Sequence, residues 1–173
     1  MESKNRFTFL VIVAVMAILY QLEVKQNKWV TSKSILLKSK VDDAFSFITT
    51  VDYMRKWFPF ASYVKEADDR PLDIGKKYYA IYEIPIWGEY AVVYKVVDYS
   101  SKRRIVVESD IFLRPRVEFD FLEVKENETK FTITILNQSL SYLFQYTLGP
   151  ILYFLNNQKL QNSLFLLRMV LPY

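Results

Sequence analysis

The chain reads as an α+β protein, a curved antiparallel β-sheet of about seven strands around a long C-terminal helix, with an N-terminal membrane helix ahead of it. Three observations carry that reading. The middle of the chain alternates apolar and polar residues with period two, as in Val117, Phe119, Phe121 and Phe131, Ile133, Ile135. The last thirty or so residues carry apolar side chains at spacings of three and four. The first twenty contain a run that is apolar on every face.

That run, Phe7 to Tyr20, is FTFLVIVAVMAILY, with Thr8 its one polar side chain. Lys4 and Arg6 precede it, and Gln21, Glu23 and Lys25 follow. The segment is either an anchor or the apolar region of a leader peptide. Its 14 residues are fewer than the ~17–25 of a typical span, and the cleavage candidate Val15-Met16-Ala17 is poor. We therefore expect residues 1–22 to form an uncleaved transmembrane anchor, in contact with the bilayer through residues 7–22. Cations on the short N-terminal side place that end in the cytosol and the rest of the chain on the lumenal or extracellular side, or in the secreted fraction if the leader is cut. Residues 23–30 form a polar connector, and 31–173 form one ligand-binding domain.

Composition closes several routes. The 173 residues include no Cys and no His. Disulfide frameworks, thiol nucleophiles, Cys-ligated metals and Ser–His–Asp chemistry are thereby excluded. Three glycines are too few for a phosphate-cradling loop. A net charge of +4 without a cationic stripe argues against nucleic acid as a partner. The anomaly is 17% aromatic residues, which are good linings for an apolar cavity because they combine area with occasional hydroxyl handles.

Element by element, residues 31–38 make a first strand. Ser39-Lys40-Val41-Asp42 has the pattern of a capping box, and Val41, Ala44, Phe45 and Ile48 give a short amphipathic helix. Asp52 is placed to cap a second short helix through Trp57, which Pro59 ends. Strands are expected at 61–67, 76–84, 89–98, 103–109, 115–125 and 129–137. Turns fall at Asp73 to Gly75, Pro85 to Gly88, Ser100-Ser101 and Glu126-Asn127. Glu118, Asp120, Lys130, Thr132 and Thr134 alternate with the apolar set and face water, so one face of the sheet is covered. Leu140 to Leu171 reads as helix, kinked or truly begun at Gly149-Pro150. Its apolar start is not read as a second membrane segment, because the sheet needs a helix to cover it.

The stretch SILLKSKVDDAFSFITTVDYMRKWFPF resembles the opening of the START-like, helix-grip (SRPBCC) superfamily, which includes polyketide cyclase/dehydrase, coenzyme Q-binding and pollen-allergen-like lipid carriers. Its Val-x-x-Ala-Phe, Asp and Trp-x-Pro features stand at Val41, Ala44, Phe45, Asp52, Trp57 and Pro59. Asp73-Ile74-Gly75-Lys76 is similar to the turn into the central strands, and Gly149-Pro150 through Leu167 to the closing helix. The resemblance spans about residues 30–171. It implies a seven-stranded sheet gripping the C-terminal helix over a cavity for a hydrophobic small molecule or lipid. It implies no single chemistry, because this fold carries many.

Candidate ligand-binding residues follow. Trp57, Phe58 and Phe60 form either a lip at the entrance or core packing. Tyr82, Tyr94, Phe119 and Phe121 form a cavity wall or ordinary core. Asn157, beside Tyr153 on the last helix, either meets a ligand head group or faces solvent. Glu83 is read as outward-facing, and Arg114 and Arg116 as a solvated strand end. No catalytic residue, metal or cofactor is assigned. Binding is favoured, and the alternative is a polyketide cyclase/dehydratase-like enzyme, for which no acid–base pair can be placed inside.

Overall fold

A computed structural model describes residues 2–58, 61–84, 88–111 and 113–171, excepting the side chains of 2–4, 83 and 84. The chain opens with α1 (Glu2–Gln21), then β1 (Thr31–Leu37), α2 (Val41–Thr49) and α3 (Val51–Trp57). Six strands follow: β2 (Tyr63–Glu66), β3 (Lys77–Ile84), β4 (Gly88–Ser100), β5 (Arg104–Glu108), β6 (Pro115–Lys125) and β7 (Glu128–Asn137). The chain closes with α4 (Tyr142–Tyr146) and α5 (Leu148–Val170).

The seven strands make one antiparallel sheet in the order β1-β7-β6-β5-β4-β3-β2. Every step after β2 is to a hairpin neighbour, and β1 closes on β7 at the far edge. Register shifts between Val96 and Asp98 and between Glu123 and Lys125 bend the long strands, as bulges do. The concave face carries the core: Val92, Tyr94, Val96, Val117, Phe119, Phe121, Phe131, Ile133 and Ile135 are all buried. The opposite face is polar and cross-linked. Arg104 meets Asp98, Glu118 and Asp120, and Arg116 meets Glu108 and Glu118.

The helices divide the concave face between them. Ala44, Phe45 and Ile48 of α2 and Val51 and Trp57 of α3 are buried over the middle strands. Leu160, Leu164 and Leu167 of α5 are buried towards β1, β7 and α3. Gly75, at φ +94°, turns the chain into β3, a conformation open to glycine and strained for other residues. Beside it Lys76 is 2% exposed. Its Nζ donates to Glu66 Oε2 at 2.8 Å and to the carbonyls of Asp68 and Arg70, which locks the β2–β3 connection.

Several expectations need correction. No capping box forms at α2. Its N-cap is Lys40, and the Ser39 hydroxyl turns to the Lys40 carbonyl. Asp52 lies within the first turn of α3, whose N-cap is Thr50. The C-terminal helix is interrupted as expected, at Thr147, and Pro150 occupies the first turn of α5, where it forfeits no helical hydrogen bond. The segment expected as a transmembrane anchor is the helix α1, but among the described residues no helix is long and apolar enough to cross a membrane. The physical reason is length: the uncharged run of 14 residues rises ~21 Å at 1.5 Å per residue, against a hydrocarbon core of ~30 Å.

Nor is the connector a free tether. Val24 N–H donates to the Leu140 carbonyl at 2.8 Å and Tyr142 N–H to the Leu22 carbonyl at 2.7 Å. Buried Gln145 accepts from Lys28 N–H at 3.1 Å, and its amide donates to Asn27 Oδ1 at 3.2 Å and to the Ser139 carbonyl at 2.8 Å. Trp29 Nε1 donates to the Gln145 carbonyl. The segment between α1 and β1 is thus stapled to α4.

Candidate functional site: an apolar cavity under the short helices

A cavity of about 60 Å³ lies between the concave face and the α2–α3 pair. The sheet supplies Val64, Tyr78, Ala80, Tyr82, Tyr94, Ile105, Val107, Val117 and Phe119, and the cover supplies Ile48, Thr49, Met54 and Phe58. Strand alternation explains the wall. Tyr78, Ala80 and Tyr82 share one face of β3, and Val117 and Phe119 share one face of β6. The amphipathic face of α2 ends at Ile48 and Thr49, and α3 turns Met54 back over the same space.

The wall is almost wholly apolar. Thr49 spends its hydroxyl on the Phe45 carbonyl at 2.8 Å. The polar feature is a pair of tyrosines whose hydroxyls meet at 2.7 Å, Tyr82 from β3 and Tyr94 from β4. In register Tyr82 lies opposite Tyr90, and Tyr94 opposite Tyr78. The two rings therefore reach diagonally along the hairpin to meet inside the concavity. Burial pushes both phenols above their ordinary value, because a phenolate would be desolvated there. The hydrogen bond between them and repulsion from Tyr94 raise Tyr82 further, while at Tyr94 the same hydrogen bond opposes the effect of burial. Tyr78 is pushed up to about 12, by burial first and then by the charges of Glu66 and Asp68 and by Tyr99. At neutral pH these groups stay protonated. They offer hydrogen bonds but no base.

Tyr82, Tyr94 and Phe119 of the expected wall do line this space. Trp57 is fully buried and packs edge-on against Phe58, Phe119 and Phe131, so it is core and not an entrance. Phe121 packs between Phe45 and Phe131, outside the cavity. Tyr153 is 39% exposed against Trp29. Asn157 is half-buried on α5 and also away from the cavity. Phe60 lies outside the described residues, as does the side chain of Glu83. Arg114 is exposed, and Arg116 is held by Glu108 and Glu118 at the sheet surface.

The larger correction concerns the cover. The cavity was expected between the sheet and the C-terminal helix, yet no residue of α5 lines it. Instead α5 packs on β1, β7 and α3, while the two short helices cover the cavity. Met54, Ile105 and Val107 were not singled out from sequence. Ile105 and Val107 alternate on β5, which was a usable signal, but nothing local showed that α3 would tilt Met54 inwards. Among the described residues, no carboxylate, ammonium or guanidinium lines the cavity, and no group of three or more metal-ligating side chains comes together.

No family model and no curated protein sequence matches the chain. Solved structures do. A START superfamily protein from Mycobacterium smegmatis superposes with a TM-score of 0.65 at 14% identity, covering 82% of this chain and 96% of that one. A protein from Nitrosomonas europaea gives 0.58 at 13%, covering 83% and 97%. The di-domain ARO/CYC protein of the steffimycin biosynthetic pathway gives 0.59 at 12%, covering 83% of this chain and 50% of that one. The fold is therefore the START-like, helix-grip fold. Within that fold this chain holds an apolar cavity with a Tyr82–Tyr94 hydroxyl pair in its wall.

Proposed function

We propose that the chain binds a neutral, apolar small molecule or lipid in the cavity under α2 and α3, and that α1 holds it at a membrane. The observation that carries the binding reading is the wall, in which aliphatic and aromatic surface surrounds the Tyr82–Tyr94 pair without a facing charge. Such a wall gains roughly 25 cal/mol for each Å² of guest surface removed from water. An anionic head group inside would stay unpaired, at high cost. The pair has two hydroxyl protons and uses one between its members, so one remains for an acceptor oxygen on the guest. At about 60 Å³ the cavity falls short of the ~300–1,000 Å³ usual for drug-sized ligands. A larger guest enters as α2 and α3 lift from the sheet.

Support for the membrane reading is the surface of α1. Its apolar side chains are exposed on every side, from Phe7 at 70% to Ile18 at 58%, and an apolar surface of this size calls for cover. On this reading the ligand domain lies at the membrane surface beside α1. A cyclase-type activity would need an acid–base couple, and the tyrosines supply only donors.

The test is organic extraction and mass spectrometry of the full chain purified from membranes, beside a Val107→Phe variant that fills the cavity. We expect a neutral lipophile enriched in the wild type and depleted in the variant. Identical lipid profiles would refute the binding reading.

A further inference from the structure

We infer that α4 and the first two turns of α5 form a docking surface that lies on the lipid bilayer beside α1, so that the domain sits in one fixed orientation. This rests on the reading of α1 as membrane-embedded. Tyr142, Tyr146, Leu148, Ile151, Phe154 and Leu155 are all large and exposed, between 41% and 60%. They are continuous with α1. Leu19 of α1 shares a groove with Tyr142, Leu143, Tyr146 and Thr147. The hydrogen bonds from Val24 to Leu140 and from Tyr142 to Leu22 fix that junction. A lipid phase that covers α1 down to Leu19 therefore reaches α4 without a break.

The chemistry along α5 marks a depth. Its exposed face is apolar from Leu148 to Leu155, polar at Gln158, Lys159, Gln161 and Asn162, and apolar again at Phe165, Leu166 and Met169. The apolar part extends ~10 Å along the axis, and its exposed side chains are of the kind that interfacial helices turn to lipid. At the junction stand the side chains that favour the headgroup layer: Tyr142 stacked on Tyr146 at 5.4 Å, and Lys28, whose Nζ lies 2.7 Å from the Tyr146 hydroxyl. Lys25 and Lys28 are exposed there and suit anionic headgroups. A second copy of the chain would need no such aromatic and cationic girdle, so the bilayer is the occupant assigned. The consequence is functional. With its neck stapled, the domain cannot swing on its anchor as a free carrier would, and exchange is confined to the adjoining leaflet.

The chain has no Cys, so a single introduced cysteine can carry an environment-sensitive nitrobenzoxadiazole label at one site. Phe154→Cys reports the docking surface, and Phe165→Cys, equally exposed further along α5, is its control. Val13→Cys reports α1. The labelled full-length chains are reconstituted in phosphatidylcholine–phosphatidylserine vesicles with and without doxyl-labelled lipid. We expect blue-shifted, doxyl-quenched emission at positions 13 and 154 and water-like emission at 165. Water-like emission at 154 with quenching at 13 would overturn the docking surface and leave the anchor intact. Water-like emission at both would overturn both readings. A blue shift at 154 that is insensitive to doxyl lipid and grows with protein-to-lipid ratio would assign the face to a second copy instead. Equal quenching at 154 and 165 would overturn the fixed depth.

Discussion

Replacing Tyr82 or Tyr94 by Phe removes one hydroxyl from a pair that meets at 2.7 Å inside an apolar wall. The hydroxyl left behind has lost its partner. Water is a poor substitute, because the cavity offers room for it but few of the polar partners it needs. Each single substitution should therefore cost about 1–3 kcal/mol, the penalty of an unsatisfied buried group. Replacing both removes donor and acceptor together and leaves an apolar surface of similar shape, so the double variant should cost less than the sum of the singles. The coupling energy should fall at about 0.5–3 kcal/mol, as for residues in direct contact. Each kcal/mol corresponds to a Tm change of about 2–4 °C for a chain of this size. The assay is thermal unfolding of the four full-length proteins in one detergent, with the cycle closed at a common temperature. Additivity to within about 0.5 kcal/mol would mean that each hydroxyl has another partner or free access to water. The dry-wall reasoning, and with it the neutral-ligand reading, would then fail.

Two further outcomes follow from the same coordinates. Tyr78, Tyr82 and Tyr94 all have folded-state values above the ordinary ~10, Tyr78 at about 12. Because the unfolded chain gives up these protons first, the native state holds its full share of this stability below pH ~10 and loses it as pH rises towards and through about 12. Phenolate absorbance should show a late-titrating class that vanishes on unfolding, and a single uniform titration near pH ~10 would contradict the burial argument. At the neck, a Cβ on Gly149 would lie 2.3 Å from Trp29 Cδ1 and 2.7 Å from its Nε1. Gly149→Ala must displace the indole and break its hydrogen bond to Gln145, a clash worth ~1–3 kcal/mol. It should lower Tm and expose residues 22–29 to protease. An unchanged Tm with a protected neck would show that the staple does not depend on this packing.

Much of the architecture is already written in local periodicity. Alternation in Val117 to Phe121 and Phe131 to Ile135 sets the faces of β6 and β7, because a strand's side chains cannot change sides without a change of register. Pro150 sits where a first helical turn tolerates it, and Gly75 where a positive φ is needed. The all-apolar run marks α1 as a helix that is apolar on every face. These features depend on neighbours a few residues away, which a linear chain displays.

The site is different in kind. Whether Trp57 is an entrance or a core residue depends on Phe119 and Phe131, some sixty or more positions downstream. The meeting of Tyr82 with Tyr94 depends on hairpin register and sheet curvature together. The cavity lies under α2 and α3, and not under α5, because of how the helices divide the curved sheet between them. Residues 22–29 look like a polar linker until Gln145, more than a hundred positions away, is seen to hold them. Spacing along the chain encodes which face a side chain takes. Only packing in three dimensions decides what that face meets and where space is left over.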